Sequence, residues 1–317
     1  MRSNNIKLIV LGILTLGLAA GYIFVDLGSA WAYVLPKRTL KIVAIVLTGA
    51  VIAFSTIIFQ TITNNRILTP SIIGLDSLYM LIQTILVFVF GSMNLVVMDK
   101  NFNFVISVVL MVLFAGLLYR FLFKGEGRNI YVLLLVGIIF GTFFGSLTDF
   151  MQVLIDPNEF MIVQDRMFAS FNNVNTDLLI ISIVFIILVS IYFARFYKYL
   201  DVLALGKEQA INLGVDYDYV VKRLLIIIAV MVSVATALVG PITFLGLLVA
   251  NIAHQFLNTY RHSYLLVGSV LISIVALVGG QFLVERVFTF STTISVIINF
   301  IGGVYFIYLL LKESKSW

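Results

Sequence analysis

Ten stretches of mostly apolar residues follow one another along the chain, at 6–25, 40–62, 71–91, 104–123, 130–154, 177–197, 219–239, 242–257, 264–284 and 292–311. About 20 such residues are what a helix needs to cross the hydrocarbon of a bilayer. In lipid a lone segment must satisfy its own backbone hydrogen bonds, so a run of this kind folds as a helix. The expected fold is therefore all-α, a polytopic membrane protein with about ten transmembrane helices. Composition agrees, with 62% apolar and 11% charged residues, against roughly 45–50% and about 25% in soluble domains. A soluble enzyme, a nucleic-acid binder and a disordered chain are excluded. The run at 242–257 is short enough to be a partial or tilted span.

The first run follows a basic start and carries a small-residue patch at Ala19-Ala20-Gly21, which also suits a cleaved signal peptide. Its length of about 20 residues exceeds a signal core and suits a span, so a retained first helix is expected.

The formal charge of +5 is explained by its placement. With ten spans and a cytoplasmic N-terminus, 14 of the 20 basic residues fall inside, giving +8 within and −2 outside, with Asp76 alone in a span. Basic loops mark the cytoplasmic side. Both termini are expected there, in a cytoplasmic membrane, and no nucleic-acid partner is implied.

Cysteine is absent and the two histidines are His254 and His262, so thiolate sites and a His-rich metal centre are excluded. No cofactor and no metal is expected. The histidines are eight apart near a turn and read as ordinary interfacial residues. Pro36, Pro70, Pro157 and Pro241 stand at or before span starts or in a loop, with Pro70 and Pro241 in a first helical turn. Gly137, Gly141 and Gly145 lie on one face of the fifth span, which suits either close helix packing or a translocation path. Polar residues inside spans mark paths or helix–helix bonds; here they are Asp76, Gln60, Gln83, Gln152, Asn251, Gln281 and Asn299. Asp76 is expected near the cytoplasmic start of its span.

No extramembrane domain is expected, and residues 1–317 read as one transmembrane domain. Between the sixth and seventh spans, Leu203, Ala210 and Leu213 share a helical face near 202–214, and Gly214 follows as a C-terminal cap would. So short a helix, with few basic residues, suits docking to another protein better than anchoring in lipid.

These residues carry a resemblance. Leu205-Gly206-Lys207-Glu208-Gln209-Ala210-Ile211-Asn212-Leu213-Gly214 resembles the loop motif of the permeases of ATP-binding-cassette importers for iron–siderophore complexes, haem and cobalamin. Pro36-Lys37-Arg38-Thr39-Leu40, then Gln60 with Asn65-Arg66-Ile67-Leu68-Thr69-Pro70 and Gly74, then Gly240-Pro241-Ile242-Thr243-Phe244-Leu245-Gly246-Leu247, then Ile301-Gly302-Gly303 follow in the family's order. The resemblance covers nearly the whole chain. It departs at Ala250-Asn251 and His254, where the family has proline-histidine and an arginine, and at Lys207, where an acid is common. The entry to the third span is similar to permeases for petrobactin and anguibactin.

The resemblance implies a permease subunit, not an enzyme, that moves an iron–siderophore complex. A cytoplasmic ATPase dimer would dock on 202–214, with Gly206 and Gly214 shaping the helix ends, Leu205 and Ala210 packing into the ATPase, Glu208 giving a polar contact and Lys207 beside it. An extracytoplasmic binding protein would meet Lys37, Arg38 and Arg286, and Gln60, Phe140, Thr142 and Phe144 would line the path. A second permease, identical or different, would complete the pore. Haem or cobalamin import within the same family, and an ion-coupled carrier, are the alternatives; the carrier would concentrate acids at mid-membrane. A membrane-embedded enzyme would need a catalytic constellation that the sequence lacks.

Overall fold

A computed structural model describes residues 2–25, 30–91, 94, 99–122, 130–172 and 174–314. Ten apolar helices occupy the ten expected runs: α1 (Arg2–Phe24), α2 (Trp31–Thr63), α3 (Leu75–Phe90), α4 (Lys100–Leu122), α5 (Ile130–Leu154), α7 (Thr176–Phe193), α10 (Tyr217–Val239), α11 (Leu245–Leu257), α12 (His262–Arg286) and α13 (Ile294–Ser314). Among the described residues, three short helices stand between them: α6 (Pro157–Met167), α8 (Leu200–Leu203) and α9 (Lys207–Asn212). Among the described residues there is no strand.

Among the described residues, seven helices are long and apolar enough to cross a membrane, while α3, α11 and α13 hold shorter apolar stretches. The spans differ in how far the protein covers them. In α2 and α10 the most apolar window is 67% and 72% buried, against 11% in α1 and 22% in α5 and α7. The first two are therefore central and the last three peripheral. α12 lies along α2, with α1 and α11 on its other sides, while α4 and α7 pack on α10 and α3 packs on α5. One apolar core runs through α2, α3, α4 and α10, and a second joins α2 to α11, α12 and α13.

The start of α1 defines one end of the bundle, the N face, where Lys7 Nζ donates to the Phe256 carbonyl at 2.6 Å. At the opposite end, the far face, Arg38 Nη1 donates to Val25 O at 2.6 Å. The ends of α1 and α12 and the start of α2 thus lie together there.

Two helices differ from expectation because a proline does not sit where its run begins. α2 starts at Trp31, so Pro36 is inside a 33-residue helix rather than before it. Pro36 removes a bond only near the first turn, where the partner carbonyl is close to the surface. At 1.5 Å per residue α2 is roughly 50 Å long, so its opening turns, with Lys37 and Arg38, rise beyond a hydrocarbon core of about 30 Å. Pro241 is the other case: residues 240–244 are not α-helical and α11 begins only at Leu245.

Pro70 likewise opens a separate turn, the 3-10 segment Pro70–Ile73, which Gly74 (φ 86°) ends before α3 starts. The two interruptions face each other, since Thr69, Pro70 and Ser71 share a small cavity with Ile242, Thr243 and Gly246. Irregular backbone within a bilayer persists only where protein covers it and its polar groups find partners. Here Gln60 Nε2 and Asn251 Nδ2 both donate to the Arg66 carbonyl, at 2.6 and 2.9 Å. Gly240 (φ 98°, ψ 170°) has a backbone open essentially to glycine alone, and a Cβ there would lie 3.0 Å from the Ala169 Cα.

Candidate functional site

The N face carries the loop motif. The expected single helix near 202–214 is two helices, α8 and α9, separated at Gly206. Gly206 has φ 97° and ψ 168°, a conformation that costs other residues about 1–3 kcal/mol. At the other end the Val215 N–H reaches Ala210 O at 3.0 Å and the Gly214 N–H reaches Ile211 O at 2.9 Å, with Gly214 at φ 83°. That pair of bonds is a Schellman ending, for which the left-handed glycine is needed.

Between these glycines α9 divides into an inner and an outer side. Ala210 is fully buried in this chain's own core. The projection placed Leu203, Ala210 and Leu213 together, but the break at Gly206 turns α9 away from the line of α8. Leu203 is buried with Ala210, while Leu213 is exposed, as are Leu205 and Ile211. Glu208 is exposed in the first turn of α9, where a helix favours an acid. Lys207 lies 3.7 Å from Asp218 of α10, both half-exposed, a surface pair that fixes orientation more than stability.

A connection missed in the sequence ties this element to the bundle. His262, 3% exposed, opens α12, and its Nδ1 lies 2.6 Å from Asp201 Oδ1 in α8. Its backbone N–H donates to the same oxygen at 3.0 Å, and its Nε2 lies 2.7 Å from Thr61 Oγ1 at the end of α2. Thr61 Oγ1 also donates to the Ile57 carbonyl at 2.8 Å. Burial works against the Asp201 carboxylate, but the backbone N–H and ring of His262, with Arg261, outweigh it and hold the carboxyl below the usual range. His262 is thus a buried strut joining α8, α2 and α12, which corrects its reading as an ordinary interfacial residue. Asp201 and His262 stand 61 positions apart, so nothing in local sequence pairs them.

The far face holds the three expected docking cations in different settings. Arg38 is largely spent on the end of α1, donating to Val25 O at 2.6 Å and to Tyr22 O and Ile23 O at 3.3 Å. A cation there complements the helix dipole. Arg286 also reaches Val25 O, at 3.4 Å, and is exposed. Lys37 is exposed on the second turn of α2, beside the Tyr33 ring and hydroxyl. Beneath them Lys41 and Glu285 form an ion pair at 2.6 Å, and Tyr22 and Gln281 donate to the same carboxylate oxygen at 2.5 and 2.8 Å. This network joins α1, α2 and α12 and was not singled out in the sequence.

The expected path residues do not share one surface. Gln60 is 3% exposed and is the tie to Arg66 described above, so it supports the interruption. Phe144 is 8% exposed and packs edge-on against Phe114 of α4. Phe140 is partly exposed and touches the same ring, while Thr142 is exposed with its hydroxyl bonded to Ile138 O. The glycine stripe divides as well. A Cβ on Gly137 would lie 2.9 Å from Ile73 Cα, and Gly141 abuts Gly74, so both serve close packing on the Pro70 turn; Gly145 meets nothing.

Asp76 is placed differently from expectation. It stands in the first turn of α3 and lines the small cavity together with Ser71 and with Thr236 near the far end of α10. Because the Pro70 turn carries the start of α3 into the bundle, Asp76 lies between the two interruptions and not at a membrane edge.

The FecCD transport family model matches residues 8–312. The petrobactin import system permease YclO of Bacillus subtilis (strain 168) is 67% identical over 310 residues, covering 98% of this chain and 97% of that protein. FatC of Bacillus anthracis, also named a petrobactin import system permease, is 39% identical over 280 residues, covering 88% and 79%. Among solved structures, an inward-facing metal-chelate-type ABC transporter aligns with a TM-score of 0.84 at 21% identity, over 98% of this chain and 99% of that one. This last likeness concerns the fold.

Proposed function

The chain belongs to the FecCD transport family, and on that premise we propose that it is the permease subunit through which an ATP-binding-cassette importer takes up an iron–siderophore complex of the petrobactin class. The observation that carries the substrate is the 67% identity to YclO along nearly the whole of both chains. The cargo enters as an intact chelate, so the path needs no iron ligands of its own.

Energy comes from a separate cytoplasmic ATPase dimer, docked on the N face at Leu205, Ile211, Leu213 and Glu208. Gly206 and Gly214 hold α9 in shape, and the Asp201–His262–Thr61 strut carries its displacement into α2 and α12. The N face is cytoplasmic, as its basic excess favours, so both termini lie inside and residues 1–317 form one permease domain. An extracytoplasmic binding protein docks at the far face, where Lys37 and Arg286 steer acidic groups. A second permease, identical or related, covers part of the peripheral helices, and the exposed side of α5 around Thr142 faces the path.

The substrate is tested in a strain stripped of its own siderophore permeases and given this chain with its cognate ATPase, binding protein and second permease. Accumulation of ⁵⁵Fe supplied as the petrobactin complex is expected, with little from haem or a ferric hydroxamate. Uptake of haem or cobalamin in its place would overturn the substrate class while leaving the family intact.

A further inference from the structure

On the far face a cavity of about 230 Å³ lies where α3, α4, α6, α7 and α10 come together. It is several times the roughly 30 Å³ that one water occupies. Its upper lining holds two cations, Arg166 of α6 and Lys100 at the start of α4, with the amides of Gln83 and Asn103. The lower wall is apolar, from Phe104, Leu178 and Leu238.

The polar part is built rather than incidental. Arg166 Nη1 donates to Gln83 Oε1 at 2.6 Å and to Asn103 Oδ1 at 3.3 Å. Gln83 is 2% exposed and donates in turn to Ser107 Oγ at 2.9 Å, so its oxygen is committed to the guanidinium. A buried amide, Gln83, and the partly exposed amide of Asn103 therefore orient a cation that would otherwise swing into water. Beneath the cavity, Phe104, Leu178 and Val234 form a small apolar cluster of their own. Either side of it α4 and α7 carry exposed Val105, Val109, Ile181 and Phe185, the character of surfaces that meet acyl chains.

We infer that this cavity binds the headgroup phosphate of an anionic phospholipid from the leaflet at the far face. The guanidinium takes phosphate oxygens in its planar fork, and the lysine adds a point charge. The glycerol and first methylenes rest on Phe104 and Leu238. Two cations in one pocket suit a phosphate-bearing headgroup, while the apolar wall favours a lipid over a soluble anion, which would leave that wall bare. A zwitterionic headgroup is disfavoured because its own cation would stand beside two others. The bound lipid would brace α4 and α7 against α10, the central helix that both pack on.

The test uses the purified full-length protein in detergent, stripped of lipid and titrated with short-chain phosphatidylglycerol, inorganic phosphate or diacylglycerol. Binding is read by native mass spectrometry and by the thermal midpoint. Phosphatidylglycerol should bind and raise the midpoint, and Lys100→Gln and Arg166→Gln should each weaken its binding about tenfold, as loss of one charge-assisted contact implies. Lys100→Gln leaves the Gln83 contact intact, so it remains informative if Arg166→Gln fails to fold. Equal protection by inorganic phosphate would show a soluble-anion site, and phosphatidylglycerol binding unchanged in Lys100→Gln would remove the site; either result overturns the proposal. Neither readout involves transport.

Discussion

Single residues decide most where two distant elements meet. Asp201 and His262 join the loop helices to α2 and α12 through bonds of 2.6–3.0 Å, a geometry that a small side-chain change breaks without altering span hydropathy. Asp201→Asn keeps the shape and removes the charge. It should insert normally yet lower transport per ATP hydrolysed severalfold, measured as uptake and ATPase activity of the same reconstituted complex. An unchanged ratio would remove the strut from the coupling route. The pH sense follows from the depressed carboxyl of Asp201: its contribution is present above the ordinary carboxylate value of about 3.9 and is lost only as pH falls through the lower folded value. Acidification to pH 5 should therefore leave the carboxylate in place. Sequence could not disclose this pair, because a histidine and an aspartate far apart have no local pattern. It did mark Gly214 as the end of the loop helix, since a glycine after a short amphipathic stretch signals a C-terminal cap, while Gly206 was marked as an end only by the family resemblance.

Elements were legible in proportion to how far each obeys hydropathy alone. All ten apolar runs are helices, because a long apolar segment has one economical way to bury its backbone. The interruptions were half-visible: Pro70 and Pro241 were noticed as helix starts, yet the chain uses them to open non-α segments that meet inside the bundle. Gln60 and Phe144 show a related limit, since a polar or aromatic residue in a span has the same pattern whether it faces a path or a neighbouring helix; here both pack within the chain. The loop helix shows the same limit, as its projection merged two helices that Gly206 separates. The outer side of α9 is what remains for a partner. Replacing Leu205, Ile211 and Leu213 together by serine should abolish co-purification of the ATPase while leaving thermal stability nearly unchanged, because all three are exposed in the free chain. Co-purification at the level of the parent protein would contradict the docking assignment.

At the scale of the whole molecule the arrangement separates functions by face. One end presents a small helix held between glycines and braced by a buried strut; the other presents lysine and arginine above an ion-paired network. Between them two broken segments face each other around Asp76, where continuous helices would leave no opening for rearrangement. That division suits a conduit moved by one partner and supplied by another. An ion-coupled carrier would draw on the transmembrane gradient instead, and Asp76, an acid deep in the bundle, is a feature that such a reading could use. The decisive measurement is ⁵⁵Fe–petrobactin uptake into proteoliposomes holding this permease with its second permease, ATPase and binding protein, each with the parent ATPase or a hydrolysis-dead variant. Uptake should require ATP and vanish with the dead ATPase, whatever ion gradient is imposed. Uptake that survives the dead ATPase and follows a proton or sodium gradient would contradict an ATP-driven importer.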